Sequence, residues 1–160
     1  MTAHLKCFGL AACLTFVGCG VLPTEPNRAL PIVQIHKEGG SGVISKREEV
    51  ISSQARWHAV WQEINSYRSP SLPEPVVDFA SHVLIFVARG VTGDACRSIA
   101  VERVELRHGS FDVFVNDERA PLSCSCPPIT VQPVDVVAVP RVAETATFQY
   151  TSITVGKECN

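Results

Sequence analysis

The sequence predicts an α+β domain in which one amphipathic helix packs on a mainly antiparallel sheet of five to seven strands, stapled by disulfides. One segment, from Ser53 to Asn65, has helical periodicity. Several short apolar or alternating segments, separated by Gly and Pro, have the length of strands. Four cysteines, at positions 96, 124, 126 and 159, lie in the part of the chain that is expected to fold.

Length and composition indicate one domain with a substantial core. The chain has 160 residues, 46% of them hydrophobic and 19% charged. Without residues 1–18 it carries 13 Lys plus Arg (14 less Lys6) against 16 Asp plus Glu, a formal charge of −3. This balance does not indicate a nucleic-acid-binding protein, because such proteins carry clustered basic faces. Beyond the first 18 residues, the longest apolar run, Val83 to Ala88, is far too short to span a bilayer.

The N-terminal segment has the layout of a secretory signal. Lys6 precedes an uncharged apolar stretch, and small Gly18 stands before Cys19. The residues Phe16-Val17-Gly18-Cys19 resemble the lipobox of bacterial lipoproteins, with Phe16 where a leucine is usual. The resemblance implies that residues 1–18 are a lipoprotein signal peptide and are removed, and that Cys19 is acylated, typically with palmitate. An ordinary signal peptide cleaved nearby, with Cys19 incidental, is the alternative.

This leader implies a location in the bacterial cell envelope, with a lipid anchor to the membrane. Gly20 rather than aspartate follows the cysteine, so we expect sorting to the outer membrane in a cell with two membranes. Residues 19–30 contain Pro23 and Pro26, which disfavour helix, and are predicted to be a tether. Residues 31–160 are predicted to form the single domain.

The first part of the domain is predicted to contain two strands and the helix. Pro31 to Lys37 reads as a strand, and Gly42 to Val50 as a more polar strand at an edge. In the helix, Ser52 or Ser53 is a suitable N-cap. Four apolar residues at helical spacing form one stripe that we assign to the core: Trp57, Val60, Trp61 and Ile64.

Strands dominate the second part. Val83 to Arg89 is a continuous apolar run, typical of a central strand buried on both faces. Cys96 to Arg107 alternates with one register shift near Glu102, which indicates a bulge, and forms a hairpin with Phe111 to Val115. A polar loop is predicted over 116–121, and further strands over 133–139 and 145–151.

The order of these features resembles the C-terminal domain family of PrcB, an accessory subunit of a bacterial surface protease complex. The matching features are the W-x-x-x-W helix, Asp78-Phe79 before the strand Val83 to Val87, the Gly90 to Gly93 turn and the later Pro133 to Pro140 segment. The resemblance covers about residues 51–150. It departs from the family at the turn, where Thr92-Gly93 continues with Asp94 rather than glycine.

The resemblance implies an exported, non-catalytic protein that binds or helps to mature a partner, with a protease as the candidate. Thr92, Gly93 and Asp94 are then the candidate partner-binding residues. No cofactor is expected. The alternative function is a protease inhibitor or envelope sensor that inserts the Gly90 to Cys96 turn, or the Pro127-Pro128 loop, into its partner.

An even number of cysteines in an exported chain predicts two disulfides, and the residues alone leave three connectivities open. The resemblance implies a bond from Cys96 to Cys126, because members with the first cysteine often carry the second seven residues before the proline that opens the later strand, here Pro133. Cys124 would then pair with Cys159. The competing connectivity exchanges Cys124 and Cys126.

Metal binding and nucleophilic catalysis are the two chemical alternatives. The Cys124-Ser125-Cys126 thiolates could form a soft-metal clip completed by His36, His58, His82 or His108, but an oxidising compartment favours disulfides, so no metal is expected. The sequence has no G-x-S-x-G motif, Ser41 lies in a glycine-rich loop, and Asp78 reads as a turn-forming carboxylate. We therefore expect no catalytic residues.

Replacing the acylated cysteine is expected to release the protein from the membrane. In cells expressing Cys19→Ser, most of the protein should move from the membrane fraction to the soluble fraction or stay unprocessed. Cys13→Ser, inside the leader, is the matched control and should fractionate like the parent. Equal membrane retention and identical processing of Cys19→Ser would show that Cys19 is not the anchor.

Overall fold

The computed structural model of the chain describes residues 27–121 and 123–154, and for residues 153 and 154 the backbone only. The elements are β1 (Arg28–Leu30), β2 (Val33–Glu38), β3 (Arg47–Ile51), α1 (Gln54–Ile64), β4 (His82–Ala88), β5 (Arg97–Arg107), β6 (Ser110–Arg119), β7 (Val134–Pro140) and β8 (Ala146–Thr154). The described residues contain no helix with the length and apolarity needed to cross a bilayer.

The strands form two four-stranded sheets. Sheet 1 has the order β1-β5-β6-β8 and sheet 2 the order β2-β7-β4-β3. All pairs are antiparallel except β6 with β8, which are parallel. The predicted combination of one helix with mainly antiparallel strands is confirmed for the described part of the chain. The prediction of a single sheet with five to seven strands is wrong, because residues 27–121 and 123–154 contain eight strands that divide between two sheets facing each other.

Sheet 2 is the middle layer, covered by sheet 1 on one face and by α1 on the other. Along β4, Val83 and Ile85 belong to the apolar cluster shared with sheet 1. The alternate residues Leu84 and Phe86 belong to the cluster shared with α1. Successive side chains of a strand point to opposite faces, so a strand between two layers must be apolar throughout. The central position predicted from the continuous apolar run is therefore confirmed.

The helix packs as its periodicity predicts. Ser53 is the N-cap, and its hydroxyl accepts a hydrogen bond from the backbone N–H of Arg56. The four residues of the predicted stripe are all buried. The indole N–H groups of Trp57 and Trp61 donate to the carbonyl oxygens of Pro75 and Leu72, at 3.0 and 3.1 Å. The tryptophans therefore fill the core and also fasten the proline-rich loop that follows the helix.

Four boundaries differ by three or more residues from the sequence-based expectation. The last residues of the predicted tether, Arg28–Leu30, form β1 and pair with the end of β5. β6 continues to Arg119, through part of the segment predicted as a polar loop, because pairing with β5 and β8 satisfies its backbone. β8 ends three residues later than predicted. The polar strand predicted to begin at Gly42 is β3, which begins at Arg47. Its predicted edge position is confirmed.

A β-bulge and a buried carboxylate join the two sheets. The pairing of β5 with β6 shifts between Val101 and Arg103, so Glu102 is the extra residue. The backbone N–H of Val101 donates to Asp135 Oδ2 at 2.7 Å, and Gln34 Nε2 donates to Oδ1 at 2.6 Å. Asp135 is only 1% exposed. Burial raises the pKa of the Asp135 carboxyl, although the hydrogen bonds from Val101 and Gln34 oppose that shift.

Removing the Asp135 carboxyl is expected to destabilise the fold most at low pH. In Asp135→Ala the Val101 N–H loses its acceptor, which costs about 1–3 kcal/mol of unfolding free energy. The carboxyl has a higher pKa in the folded than in the unfolded state, so its ionisation opposes folding. The difference in unfolding free energy between the parent and Asp135→Ala should therefore shrink as pH rises from the unfolded-state pKa to the folded-state pKa. Urea unfolding across about pH 4 to 8 measures the difference.

Glu102→Ala, an exposed acidic residue in the bulge, is the matched control and should lie within about 0.5 kcal/mol of the parent. A difference between parent and Asp135→Ala that stays constant or widens with pH would contradict the sign of this prediction.

Candidate functional site

The disulfide joins Cys96, immediately before β5, to Cys126, 30 residues later. This confirms the pairing that the family resemblance implies and excludes the exchanged connectivity. Cys124 is also disulfide-bonded. Its predicted partner, Cys159, lies outside the described residues, as does the predicted lipidation site at Cys19.

The disulfide also bears on the predicted alternative of a soft-metal site, because it occupies the sulfur of Cys126. In the described ranges, one group of side chains has metal-ligand geometry, namely Asp94, Cys96 and Cys126, with ligand atoms within 4.8 Å of one another. Both sulfur atoms are bonded to each other, so they are not available as thiolate ligands. Three of the four candidate histidines have a ring nitrogen within hydrogen-bond distance of another polar side chain. The pairs are His36 with Glu38, His58 with Glu74 and His82 with Ser81. His108 lies in the turn between β5 and β6.

The turn predicted to contact a partner is held at its first residues. Gly90 has a φ of +77°, and a Cβ there would lie 2.7 Å from the backbone nitrogen of Lys46, so only glycine fits. Thr92 forms a two-residue bridge with Val131, with N–H to oxygen hydrogen bonds of 2.9 and 3.2 Å. These contacts fasten the start of the turn to the loop before β7.

Side-chain bonds hold the rest of the turn. Asp94 Oδ1 accepts a hydrogen bond from the backbone N–H of Cys96 at 3.1 Å, and the Thr92 hydroxyl donates to the Asp94 carbonyl at 3.1 Å. Gly93, between them, is exposed, and a Cβ built on it meets no atom within 4 Å. The turn is therefore rigid at its ends and open at its tip. The three candidate residues have different roles, since Thr92 is buried, Asp94 is half-buried and Gly93 is exposed.

A pocket of about 320 Å³ opens beside this turn. Its lining includes Asp94, Arg97, Arg119, Cys96, Cys124 and Cys126. The structure thus brings three of the four predicted disulfide cysteines and one of the three predicted partner-binding residues to one place. Thr92 and Gly93 belong to the same turn but do not line the pocket.

Two arginines in this pocket were not identified from the sequence. Arg97 and Arg119 are directly opposite each other in the pairing of β5 with β6. Arg97 Nε lies 3.3 Å from Asp94 Oδ2. Arg119 is exposed, and its side chain makes no ion pair or hydrogen bond with any residue that the structure describes. Residues 116–121 were predicted to be a loop, so the register that aligns the arginines could not be anticipated.

Asp78 has the structural role predicted for it. Its Oδ1 accepts a hydrogen bond from the backbone N–H of Ala80 at 3.0 Å, and its Oδ2 lies 2.6 Å from the Ser81 hydroxyl. The Ser81 hydroxyl, followed by the Ala80 N–H, lowers the pKa of the Asp78 carboxyl. His82 Nδ1 lies 2.8 Å from Ser81 Oγ. The Ser81 hydroxyl donates to Asp78, and these hydrogen bonds stabilise the turn into β4.

Comparison with known proteins identifies no family for this chain. No family model, curated protein or solved structure matches it. The interpretation of the site therefore rests on its own residues and geometry.

Removing the disulfide is expected to lower the free energy of unfolding by about 3–4 kcal/mol, the chain-entropy value for closing a loop of this length. The double variant Cys96→Ala/Cys126→Ala is compared with Ser123→Ala, an exposed position between the bridge residues, which should unfold like the parent. Urea unfolding gives the free energies, and peptide mapping of the non-reduced parent checks the bond. Recovery of Cys96 linked to Cys124 would contradict the connectivity described above.

Proposed function

We propose that this chain is a lipid-anchored, extracytoplasmic binding module without catalysis of its own, an accessory protein of the PrcB C-terminal domain type. Its partner is an envelope protein, and a protease is the first candidate. The observation that carries the proposal is the braced turn at residues 90–96, which stands open at its tip beside a pocket and is tied at its end by the Cys96 to Cys126 bond.

The disulfide supports the extracytoplasmic part of the proposal. Stable disulfides form in oxidising compartments and are rare in the cytosol, where thiols are kept reduced. Cys96 and Cys126 are bonded across a connection of 30 residues that contains β5, β6 and the loop after them. A chain that relies on such a bond is suited to the envelope. This agrees with the lipobox-like leader that precedes Cys19.

The rigidity of the turn supports binding. Ordering a flexible loop on association costs free energy, and a loop already fixed by disulfides and hydrogen bonds avoids most of that cost. The turn and the adjoining loop also carry contact surface, because Val91 on the turn is 55% exposed and Ile129 on the loop is 56% exposed. Exposed apolar side chains of this kind are suited to contacting another protein.

The same observation favours one second candidate, a protease inhibitor or an envelope sensor. The backbone N–H of Ala95 donates to the carbonyl of Pro127 at 3.1 Å, so the turn and the Pro127-Pro128 loop form one connected surface. A rigid double loop of this kind can be inserted into a partner's cleft. The accessory and inhibitor hypotheses place the contact on the same residues. They differ in whether binding assembles the partner or lowers its activity.

Blocking the tip of the turn is expected to abolish partner capture without unfolding the protein. Gly93→Trp adds a large side chain at a position with no atom within 4 Å, so the fold should tolerate it while the partner surface is blocked. Val142→Arg, which follows the far end of β7, is the matched surface control and should capture the partner like the parent. Capture from solubilised envelopes, with equal amounts of each bait, measures the difference.

The captured partner then separates the two candidates. A protease that needs this protein to assemble or mature supports the accessory function, and one whose activity falls on reconstitution supports inhibition. Equal capture by Gly93→Trp and the parent would refute the turn as the contact site. Substrate turnover by the purified protein alone would refute the non-catalytic assignment.

A further inference from the structure

The inner face of sheet 1 changes from apolar to charged at the end that carries the candidate site. Val101 pairs with Val115 in the core, and the next inward pair is Ile99 with Asp117. The last inward pair is Arg97 with Arg119. Side chains directly opposite each other on neighbouring strands lie on the same face. The two arginines therefore stand side by side at the mouth between the sheets.

The charges at this mouth do not cancel. Arg89 forms an ion pair with Asp117, and Arg97 with Asp94. Arg119 is the additional cation, since it has no ion pair within the described residues. On the inner face and the adjoining turn, three guanidinium groups therefore face two carboxylates, which leaves a positive charge at the pocket.

An anion between the two arginines would resolve an unfavourable arrangement. Like charges directly opposite on adjacent strands repel each other. Asp94 reaches Nε of Arg97, so the terminal nitrogens of Arg97 and the whole Arg119 guanidinium remain as donors toward the pocket. Guanidinium groups bind carboxylates through two parallel hydrogen bonds, a geometry that a single ammonium group cannot offer.

We infer that this pocket binds a carboxylate side chain from an acidic segment of the partner protein. The inference rests on the proposed function and adds the chemistry of the partner to it. The pocket, about 320 Å³, has room for one or two side chains. Val91 precedes Thr92 and Ile129 lies two residues before Val131, so these exposed apolar side chains belong to the turn and the loop that the bridge joins, and they offer apolar contacts to the same segment. The recognised segment therefore combines Glu or Asp with aliphatic residues.

Binding of a defined acidic peptide tests the inference directly. The probe is the terminally blocked pentapeptide acetyl-Leu-Glu-Val-Glu-Leu-amide, and its matched control carries Gln in place of both Glu. Isothermal titration calorimetry with the full chain, purified from solubilised envelopes, measures both. We expect the acidic peptide to bind, the Gln peptide to bind at least about tenfold more weakly, and added salt to weaken the acidic peptide further.

Three variants locate the site. Arg119→Gln should weaken binding of the acidic peptide about tenfold, the loss expected for one charge-assisted hydrogen-bonded contact. Arg28→Gln makes the same charge change at an exposed arginine in β1, opposite Leu106 near the other end of β5, and should bind like the parent. Asp94→Asn should strengthen binding, because it removes the carboxylate that competes for Arg97 while keeping the oxygen that accepts from Cys96.

Each outcome bears on the inference. Equal weakening by Arg119→Gln and Arg28→Gln, or weaker binding by Asp94→Asn, would overturn it. Acetate or inorganic phosphate binding as tightly as the acidic peptide would also overturn it, since the site would then serve a simple anion. Circular dichroism matching the parent confirms that Arg119→Gln is folded. Arg119→Lys should bind with intermediate affinity, because lysine keeps the charge but cannot form the two parallel hydrogen bonds of a guanidinium group.

The two proposals fail separately. If Gly93→Trp abolishes capture of an envelope partner but the acidic peptide does not bind, the turn remains the contact and the carboxylate inference is wrong. If the acidic peptide binds with the expected variant pattern while capture is unaffected by Gly93→Trp, the pocket inference stands and the proposed use of the turn is wrong.

Discussion

The hydrogen bond from the backbone N–H of Val101 to the carboxylate of Asp135 is the contact on which the rest of the structure depends. It joins β5 of sheet 1 to β7 of sheet 2 in a core that is otherwise apolar. A buried carboxylate without donors would be costly, and a buried backbone N–H without an acceptor would be costly too. Each group is tolerated because the other is present. Gln34, from the edge strand β2, supplies a further donor and extends the link to the border of sheet 2.

The bulge at Glu102 makes this contact possible and also sets the direction of the site. Before the bulge, Ile99 and Val101 face inward, and after it Val104 and Leu106 do so. One extra residue changes which positions point to the core, so both halves of β5 can bury their apolar residues. The same change places Arg97 on the inward face at the mouth between the sheets, opposite Arg119. The position of the candidate pocket is thus a consequence of how the core is packed.

The site and the stability of the fold share the same residues. The Cys96 to Cys126 bond closes the segment that contains the β5–β6 hairpin and lines the pocket, while the Thr92 to Val131 bridge ties the turn to the loop before β7. A loop held in this way keeps its shape without a partner, which is a favourable starting point for recognition. Such bracing is the physical basis of the accessory function proposed above.

The sequence by itself determined the elements whose burial is visible in local periodicity. The tryptophan stripe of α1, the doubly buried strand β4 and the register shift in β5 each follow from which residues of one segment must avoid water. The resemblance to the PrcB family added the Cys96 to Cys126 pairing, which the spacing alone left open. Only the tertiary structure decided that the strands form two sheets, that β1 and the end of β6 join sheet 1, that Asp135 meets Val101, and that Arg97 faces Arg119. The physical reason is that periodicity reports how a segment is buried, whereas the choice of partner depends on long-range pairing and on polar contacts between residues far apart in the chain.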